Sequence, residues 1–193
     1  MKILDEDLLK INNLYNQFIK IMVEDFNDNN DVSIKNVLSF VNQIYKDLVV
    51  NNKKENYPNI DYISNLGIYS LYGFQVCRTT NKMLYDFMKE LGFDVNMKTV
   101  LIDENNDWHI VEPIFANHVV VNIKDKKSDK FFDLNSDIYF ENNDGAINII
   151  NIDEQKLKLD YNQYKKIINE INKILDKYLL LEKLGIERVY TYK

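Results

Sequence analysis

The chain has 193 residues, enough for one domain with a sizeable core, and 46% of them are hydrophobic. Its 24 basic and 30 acidic residues form no basic patch, which argues against nucleic acid as a partner because backbone binding depends on clustered Lys and Arg. No run approaches the roughly 20 apolar residues of a membrane span, and the acidic start MKILDEDLLKINN does not resemble a signal peptide, so we expect a cytoplasmic protein without a membrane partner.

The amino-terminal segment, residues 1–52, predicts two amphipathic helices. Apolar side chains recur there at three- and four-residue steps, which marks one buried helix face: Leu8, Ile11, Leu14, Tyr15, Phe18, Ile19, Met22 and Phe26. A polar cluster at 27–31 interrupts the pattern, and Ser33 can cap a second helix. A polar stretch around Pro58 follows and is typical of a loop.

Between residues 68 and 135 the pattern changes to one helix followed by about four short strands. The helix should follow Cys77, with Gly92 as its left-handed cap and one apolar stripe: Met83, Leu84, Phe87, Met88 and Leu91. Alternating residues predict strands at 95–101, 108–114, 118–123 and 131–134. An antiparallel sheet packed on helices, and therefore an α+β domain, is expected.

Residues 153–184 predict a long carboxy-terminal helix that Gly185 ends. Its apolar residues lie close to a heptad seam: Tyr161, Tyr164, Ile168, Ile171, Leu175 and Tyr178. Packing of this seam on the two amino-terminal helices is the favoured interpretation, and a homodimer through the same helix is the alternative. The last residues, 187–193, can add an edge strand. The whole chain, 1–193, is interpreted as a single domain.

The residues that suggest chemistry are the single cysteine, Cys77, and two polar residues on later strands, His118 and Asp133. A thiol needs a base to become a good nucleophile, and that base needs a carboxylate to hold its tautomer. A helix start lowers the pKa of a thiol, because its unpaired N–H groups and the helix dipole favour an anion. A buried structural cysteine is the competing interpretation of Cys77.

Two further residues bear on this site. The side-chain amide of Gln75, like the backbone N–H of Cys77, can donate a hydrogen bond to an oxyanion formed at the thiol. His109 is a rival base, although its spacing to Asp133 makes His118 the preferred one. One Cys and two His are few for a zinc site, and no carboxylate cluster has calcium-loop spacing, so neither a metal nor a cofactor is expected.

Residues 68–135 resemble the transglutaminase-like superfamily, in which Cys heads a helix and His and Asp follow on successive strands. The resemblance rests on Tyr72-Gly73, Cys77 and Leu91-Gly92, and on fifteen residues from Cys77 to Gly92 and fifteen from His118 to Asp133. The chain departs from the family pattern at four places: Gln75, Arg78, Val120 and the pair Leu134-Asn135. These departures bear on substrate preference more than on the triad.

The resemblance implies a papain-like core, in which the nucleophile helix packs on a small antiparallel sheet, with Cys77, His118 and Asp133 as the triad. It also implies acyl transfer from an amide or peptide bond of a peptide or protein through a thioester. Hydrolysis by a peptidase or amidase is preferred, and a cross-linking or deamidating transglutaminase is the alternative. A non-catalytic interaction module on the same scaffold is the alternative from another class.

Overall fold

A computed structural model describes residues 2–50, 53–60, 63–105, 107–124, 129–134, 138–143, 146–151 and 156–185. Within them the chain is α+β, as the sequence predicts, with helices towards both ends and an antiparallel sheet between them. The helices are α1 (Asp5–Asn29), α2 (Ile34–Ile44), α3 (Gly67–Tyr72), α4 (Cys77–Glu90) and α5 (Asn162–Lys183). The strands are β1 (Val95–Ile102), β2 (Trp108–Ile110), β3 (His118–Lys124), β4 (Asp129–Asp133), β5 (Ile138–Asn143) and β6 (Ala146–Asn151).

The amino-terminal helices form as their periodicity predicts. The stripe of α1 is buried, and Ser33 caps α2 by accepting a hydrogen bond from the Asn36 backbone N–H at 3.2 Å. At its end α2 continues directly into a five-residue π-helical segment, Tyr45–Val49, hereafter the π segment. Such segments are rare, and they occur frequently at functional sites.

The sheet has the order β2-β1-β3-β4-β5-β6, and every neighbouring pair is antiparallel. In the β3–β4 pair Val121 lies opposite Phe132, which brings the start of β3 beside the end of β4. Both faces of β3 are buried. Val121 and Ile123 belong to the main core, whereas Val120 packs in a second cluster with Val100 and Phe131.

The sheet differs from the prediction in two respects. The second strand ends at Ile110 instead of continuing to residue 114, because Pro113 begins a short 3-10 turn, Pro113–Phe115. The strands β5 and β6 were not predicted. Each has only six residues and combines strand-favouring Ile, Tyr or Phe with Asn, which is depleted in strands, so its local signal is mixed and pairing with a neighbour completes it.

The carboxy-terminal helix packs inside the chain. Its predicted seam is buried from Tyr164 to Tyr178, and α5 packs mainly on α1 and α3. Of the two predicted partners α1 is confirmed, whereas α3 takes the place expected of α2. The predicted start at residue 153 lies outside the described residues, and the helix begins only at Asn162. Residues 156–161 are not helical. There the Gln43 side chain accepts from the Leu157 N–H and donates to the Leu157 carbonyl, both at 2.7 Å. The predicted edge strand at 187–193 also lies outside the described residues.

Hydrogen bonds between tyrosine hydroxyls and aspartates fasten α5 to other elements. Tyr164 donates to Asp25 of α1 at 2.7 Å, and Tyr178 donates to Asp7 of α1 at 2.8 Å. In the reverse direction Tyr72 of α3 donates to Asp176 of α5 at 2.7 Å. Lys54 contacts both residues of this last pair, because its ammonium lies 2.8 Å from Asp176 and 3.8 Å from the centre of the Tyr72 ring. Such charge-assisted bonds are stronger than neutral ones.

Candidate active site

Cys77 is the first residue of α4, and it is partly exposed. The chain reaches it from α3 through Gly73, whose φ of 98° is a left-handed conformation that suits glycine. Thr79 then braces the turn: its hydroxyl donates to the Phe74 carbonyl at 2.7 Å and accepts from the Val76 N–H at 3.1 Å. The thiol is therefore held at a helix start, where the unpaired N–H groups favour a negative charge.

His118 and Asp133 meet where the start of β3 adjoins the end of β4. The His118 Nε2 lies 2.8 Å from the Asp133 Oδ2, and the side chain of Asp133 is fully buried. Because Nε2 is used by Asp133, Nδ1 is the ring nitrogen left for the thiol. The Cys77 thiol lies beside His118, close enough for each group to shift the pKa of the other, so the three residues named from the sequence are brought together in the order Cys77, His118, Asp133.

The thiol and the imidazole shift each other's pKa in opposite directions. The hydrogen bond to His118 lowers the pKa of Cys77, and backbone hydrogen bonds from Val119 and Arg78 lower it further, against the opposing effect of burial. The hydrogen bonds to Asp133 and Cys77 raise the pKa of His118 to about 9. Opposite shifts of this kind favour a thiolate beside an imidazolium at neutral pH.

Asn81, which the sequence analysis missed, holds the carboxylate. Its fully buried side-chain amide donates to the Asp133 Oδ1 at 2.9 Å and to the Val119 carbonyl at 2.7 Å. Its amide oxygen accepts from the Leu134 backbone N–H at 2.8 Å. Asn81 comes four residues after Cys77 on α4, so the two lie on one helix face. Its spacing to Cys77 alone gives no signal in the sequence, because an Asn within a helix is common and its burial becomes visible only in the fold.

Trp108, the only tryptophan of the sequence, packs against His118. Its ring meets the His118 ring edge to face, with 5.4 Å between centroids and an angle of 88°. The backbone before His118 is also fixed, because Asn117 exchanges two hydrogen bonds of 2.9 Å with the backbone of Ile102. The imidazole is thus restrained by the hydrogen bond to Asp133 and by contact with the Trp108 ring.

Gln75 comes two residues before Cys77, and its side-chain amide already has two partners. Its Nε2 donates to the Val49 carbonyl at 2.7 Å, and its Oε1 accepts from the Tyr45 hydroxyl at 3.4 Å. A side-chain amide carries two N–H groups, and the Val49 carbonyl takes one of them. The second is the one that can serve an oxyanion.

The rival base has a different partner. His109 lies on the edge strand β2, and its Nε2 is 3.0 Å from the Asp103 Oδ2 in an exposed turn. That hydrogen bond, with others from the backbone of Asp107 and Asn105, lowers the pKa of Asp103. His109 therefore pairs with a turn carboxylate, whereas the thiol pairs with His118.

Among the described residues, no group of three or more His, Cys, Asp or Glu side chains could hold a metal ion. Within the same ranges, no helix has the length and apolar character needed to span a bilayer. Comparison of the chain with protein-family models, with curated proteins and with solved structures finds no match.

Proposed function

We propose that this protein is a thiol hydrolase or acyltransferase that acts on an amide or peptide bond through a thioester at Cys77. The observation that carries the proposal is the Cys77 thiol beside His118, whose Nε2 is in turn held at 2.8 Å by the buried Asp133. A buried carboxylate is costly unless it is paired, and here its two oxygens are used by His118 and Asn81. This is the arrangement that activates a nucleophile through an oriented base.

In the first step the Cys77 thiolate attacks the carbonyl carbon of the substrate, and a carbon–sulfur bond forms. The carbonyl electrons move to the oxygen, which accepts hydrogen bonds from the Cys77 backbone N–H and the second N–H of Gln75. As the carbon–nitrogen bond breaks, the His118 imidazolium gives its proton to the leaving amine. The products of this half-reaction are a free amine and a thioester on Cys77.

In the second step the neutral His118 takes a proton from water, and the resulting hydroxide attacks the thioester carbonyl. Cys77 leaves as a thiolate, and His118 is again an imidazolium held by Asp133. The carboxylic acid departs as the second product, and the resting state is restored. If an amine replaces water in this step, the product is a new amide.

The test uses an activated ester and a mixed peptide substrate. p-Nitrophenyl acetate should release nitrophenol in a burst and leave an acetyl group on the Cys77 peptide, as detected by mass spectrometry. A peptide library should show Cys77-dependent cleavage. The Cys77→Ala variant is the control, because it removes the nucleophile and keeps a small side chain at the helix start.

Three other results would change the conclusion. Incorporation of a fluorescent primary amine into casein, without net cleavage, would favour the cross-linking reaction. Conversion of glutamine to glutamate in the library would favour deamidation. Neither acylation nor cleavage in the wild type would leave the non-catalytic interaction module as the better interpretation.

A further inference from the structure

The side chain of Gln75 bridges the two ends of the π segment. Its Oε1 meets the hydroxyl of Tyr45, the first residue of the segment, and its Nε2 meets the carbonyl of Val49, the last one. A π-helical turn is wider than an α-helical turn, and it changes which backbone groups are available at the end of a helix. The segment therefore presents a hydroxyl and a carbonyl that together match one amide.

These partners determine the orientation of the amide. The Val49 carbonyl can only accept, so the group that faces it must be the nitrogen of Gln75. The Tyr45 hydroxyl can then donate to the remaining oxygen. Reversal of the amide would place two acceptors against each other at 2.7 Å, which costs the full penalty of an unmade bond. Both ends of the π segment thus favour the same orientation.

Tyr45 also lies close to the charged part of the site. Burial raises the pKa of its hydroxyl, the Thr80 hydroxyl lowers it, and the negative charge of Asp133 raises it again. Tyr45 is 6% exposed, and Thr80 is fully buried on α4 next to Asn81. The hydroxyl is therefore held among groups of the site, while its ring is part of the main core.

We propose that Tyr45 is a positioning residue that orients Gln75, so that the second N–H of its amide faces the oxyanion formed at Cys77. The role rests on the proposed function, because an oxyanion exists only if Cys77 attacks a carbonyl. It adds a task for the amino-terminal region, since the π segment, which lies outside residues 68–135, would orient one of the two oxyanion donors.

The experiment compares two reagents that react with the same thiol, only one of which forms an oxyanion. p-Nitrophenyl acetate acylates a thiol through a tetrahedral oxyanion, whereas iodoacetamide alkylates the same thiol at a saturated carbon without one. Tyr45→Phe keeps the ring and removes the hydroxyl. Acylation of this variant should slow about three- to tenfold, with kcat affected more than KM, while alkylation keeps the wild-type rate.

Two further variants separate positioning from a structural role. Tyr164→Phe also removes a buried tyrosine hydroxyl bond, to Asp25, and should lower thermal stability with acylation unchanged. In the double variant Tyr45→Phe/Gln75→Ala, acylation should be no slower than in Gln75→Ala alone, because Tyr45 acts through Gln75.

Each remaining outcome contradicts the role in a recognisable way. Equal slowing of acylation and alkylation would mean that Tyr45 acts on the thiolate instead of on Gln75. If Tyr45→Phe were acylated at the wild-type rate, the role would be overturned while the proposed function stands. The same holds if the losses of acylation rate in Tyr45→Phe and Gln75→Ala added up in the double variant. Absence of acylation in the wild type itself would overturn the proposed function and this role together.

Discussion

Asn81 and Asp133 form a fully buried pair in which the amide of the first donates to the Oδ1 of the second at 2.9 Å. The other carboxylate oxygen is bound by His118 at 2.8 Å. Since Asn81 lies one helical turn after Cys77, the same helix carries the thiol and the group that fixes the far end of the triad. A single helix, α4, therefore supplies both the thiol and the amide that binds the carboxylate of Asp133.

The first prediction concerns this pair. Asn81→Ala should lower the free energy of unfolding by about 1–3 kcal/mol, because it leaves the Asp133 Oδ1 and the Leu134 N–H buried without their present partner. It should also slow acylation, since Asp133 loses one of the bonds that orient it. Urea unfolding and the nitrophenol burst measure the two effects. Asn29→Ala, which removes an exposed bond on α1, is the control and should change neither.

The second prediction concerns the reactivity of the thiol. Iodoacetamide should label Cys77 at pH 6 far faster than a model thiol, because the hydrogen bond to His118 and those from the backbone lower its pKa. The rate of labelling against pH should show a plateau that begins well below pH 8. Equal rates for the protein and the model thiol would identify an inert structural cysteine.

The third prediction concerns the carboxylate. Asp133→Asn should keep the size of the side chain and remove the charge that raises the pKa of His118. The imidazole then loses its orientation as a base and its stabilisation as a cation, so acylation should fall by a factor on the order of 10² to 10⁴. Circular dichroism checks that the fold is retained. A loss below about tenfold would show that His118 works without Asp133.

The fourth prediction follows from proton counts in the folded and unfolded chain. The raised pKa of His118 contributes stability that is complete below its unfolded value of 6.5 and is lost as pH rises towards about 9. The lowered pKa of Cys77 contributes stability at high pH that is lost as pH falls below its ordinary value of 9.0. Between these values the unfolded chain holds one proton on the thiol, and the folded chain holds one proton on the imidazole. The two pH dependences of stability therefore oppose each other.

Wild-type stability should therefore change little from about pH 7 to 8.5 on account of this pair. In Cys77→Ala the part of the raised His118 pKa that Asp133 causes remains, and stability should fall as pH rises over the same interval. Denaturant unfolding at several pH values measures the difference between the two proteins, which cancels the contributions of all other groups. A flat difference would mean that His118 is neutral in the folded variant.

Much of the fold follows from local sequence. The stripes of α1 and α4, the Ser33 cap and the left-handed Gly92, with φ of 88°, are encoded within a few residues of where they act, and these predictions are confirmed. The strands β5 and β6 carry a mixed local signal and are completed by pairing with a neighbour, and the non-helical chain before α5 is bound by Gln43, more than a hundred residues away. A contact such as that of Gln43 leaves no periodic signal in the segment that it binds.

The candidate site divides in the same way. Cys77, His118 and Asp133 could be named because the chain has one Cys and two His, and because their spacings, with Asp133, match a known order. Asn81 and Tyr45 could not, since an Asn or Tyr within a helix is common, and only the fold shows that one meets a buried carboxylate and the other Gln75. The catalytic roles of the three named residues stay predictions until activity is measured.

The Tyr72–Asp176 bond has a consequence for the boundaries of a functional unit. Tyr72 ends α3, one residue before the Gly73 turn that leads to Cys77, and its hydroxyl is anchored on α5. A fragment that stops before Asn162 would retain all three triad residues and lose this anchor. Such a fragment should expose the apolar face of α3 that packs on α5 and leave the chain that leads to Cys77 less rigid. The last helix therefore stabilises a site to which it contributes no residue.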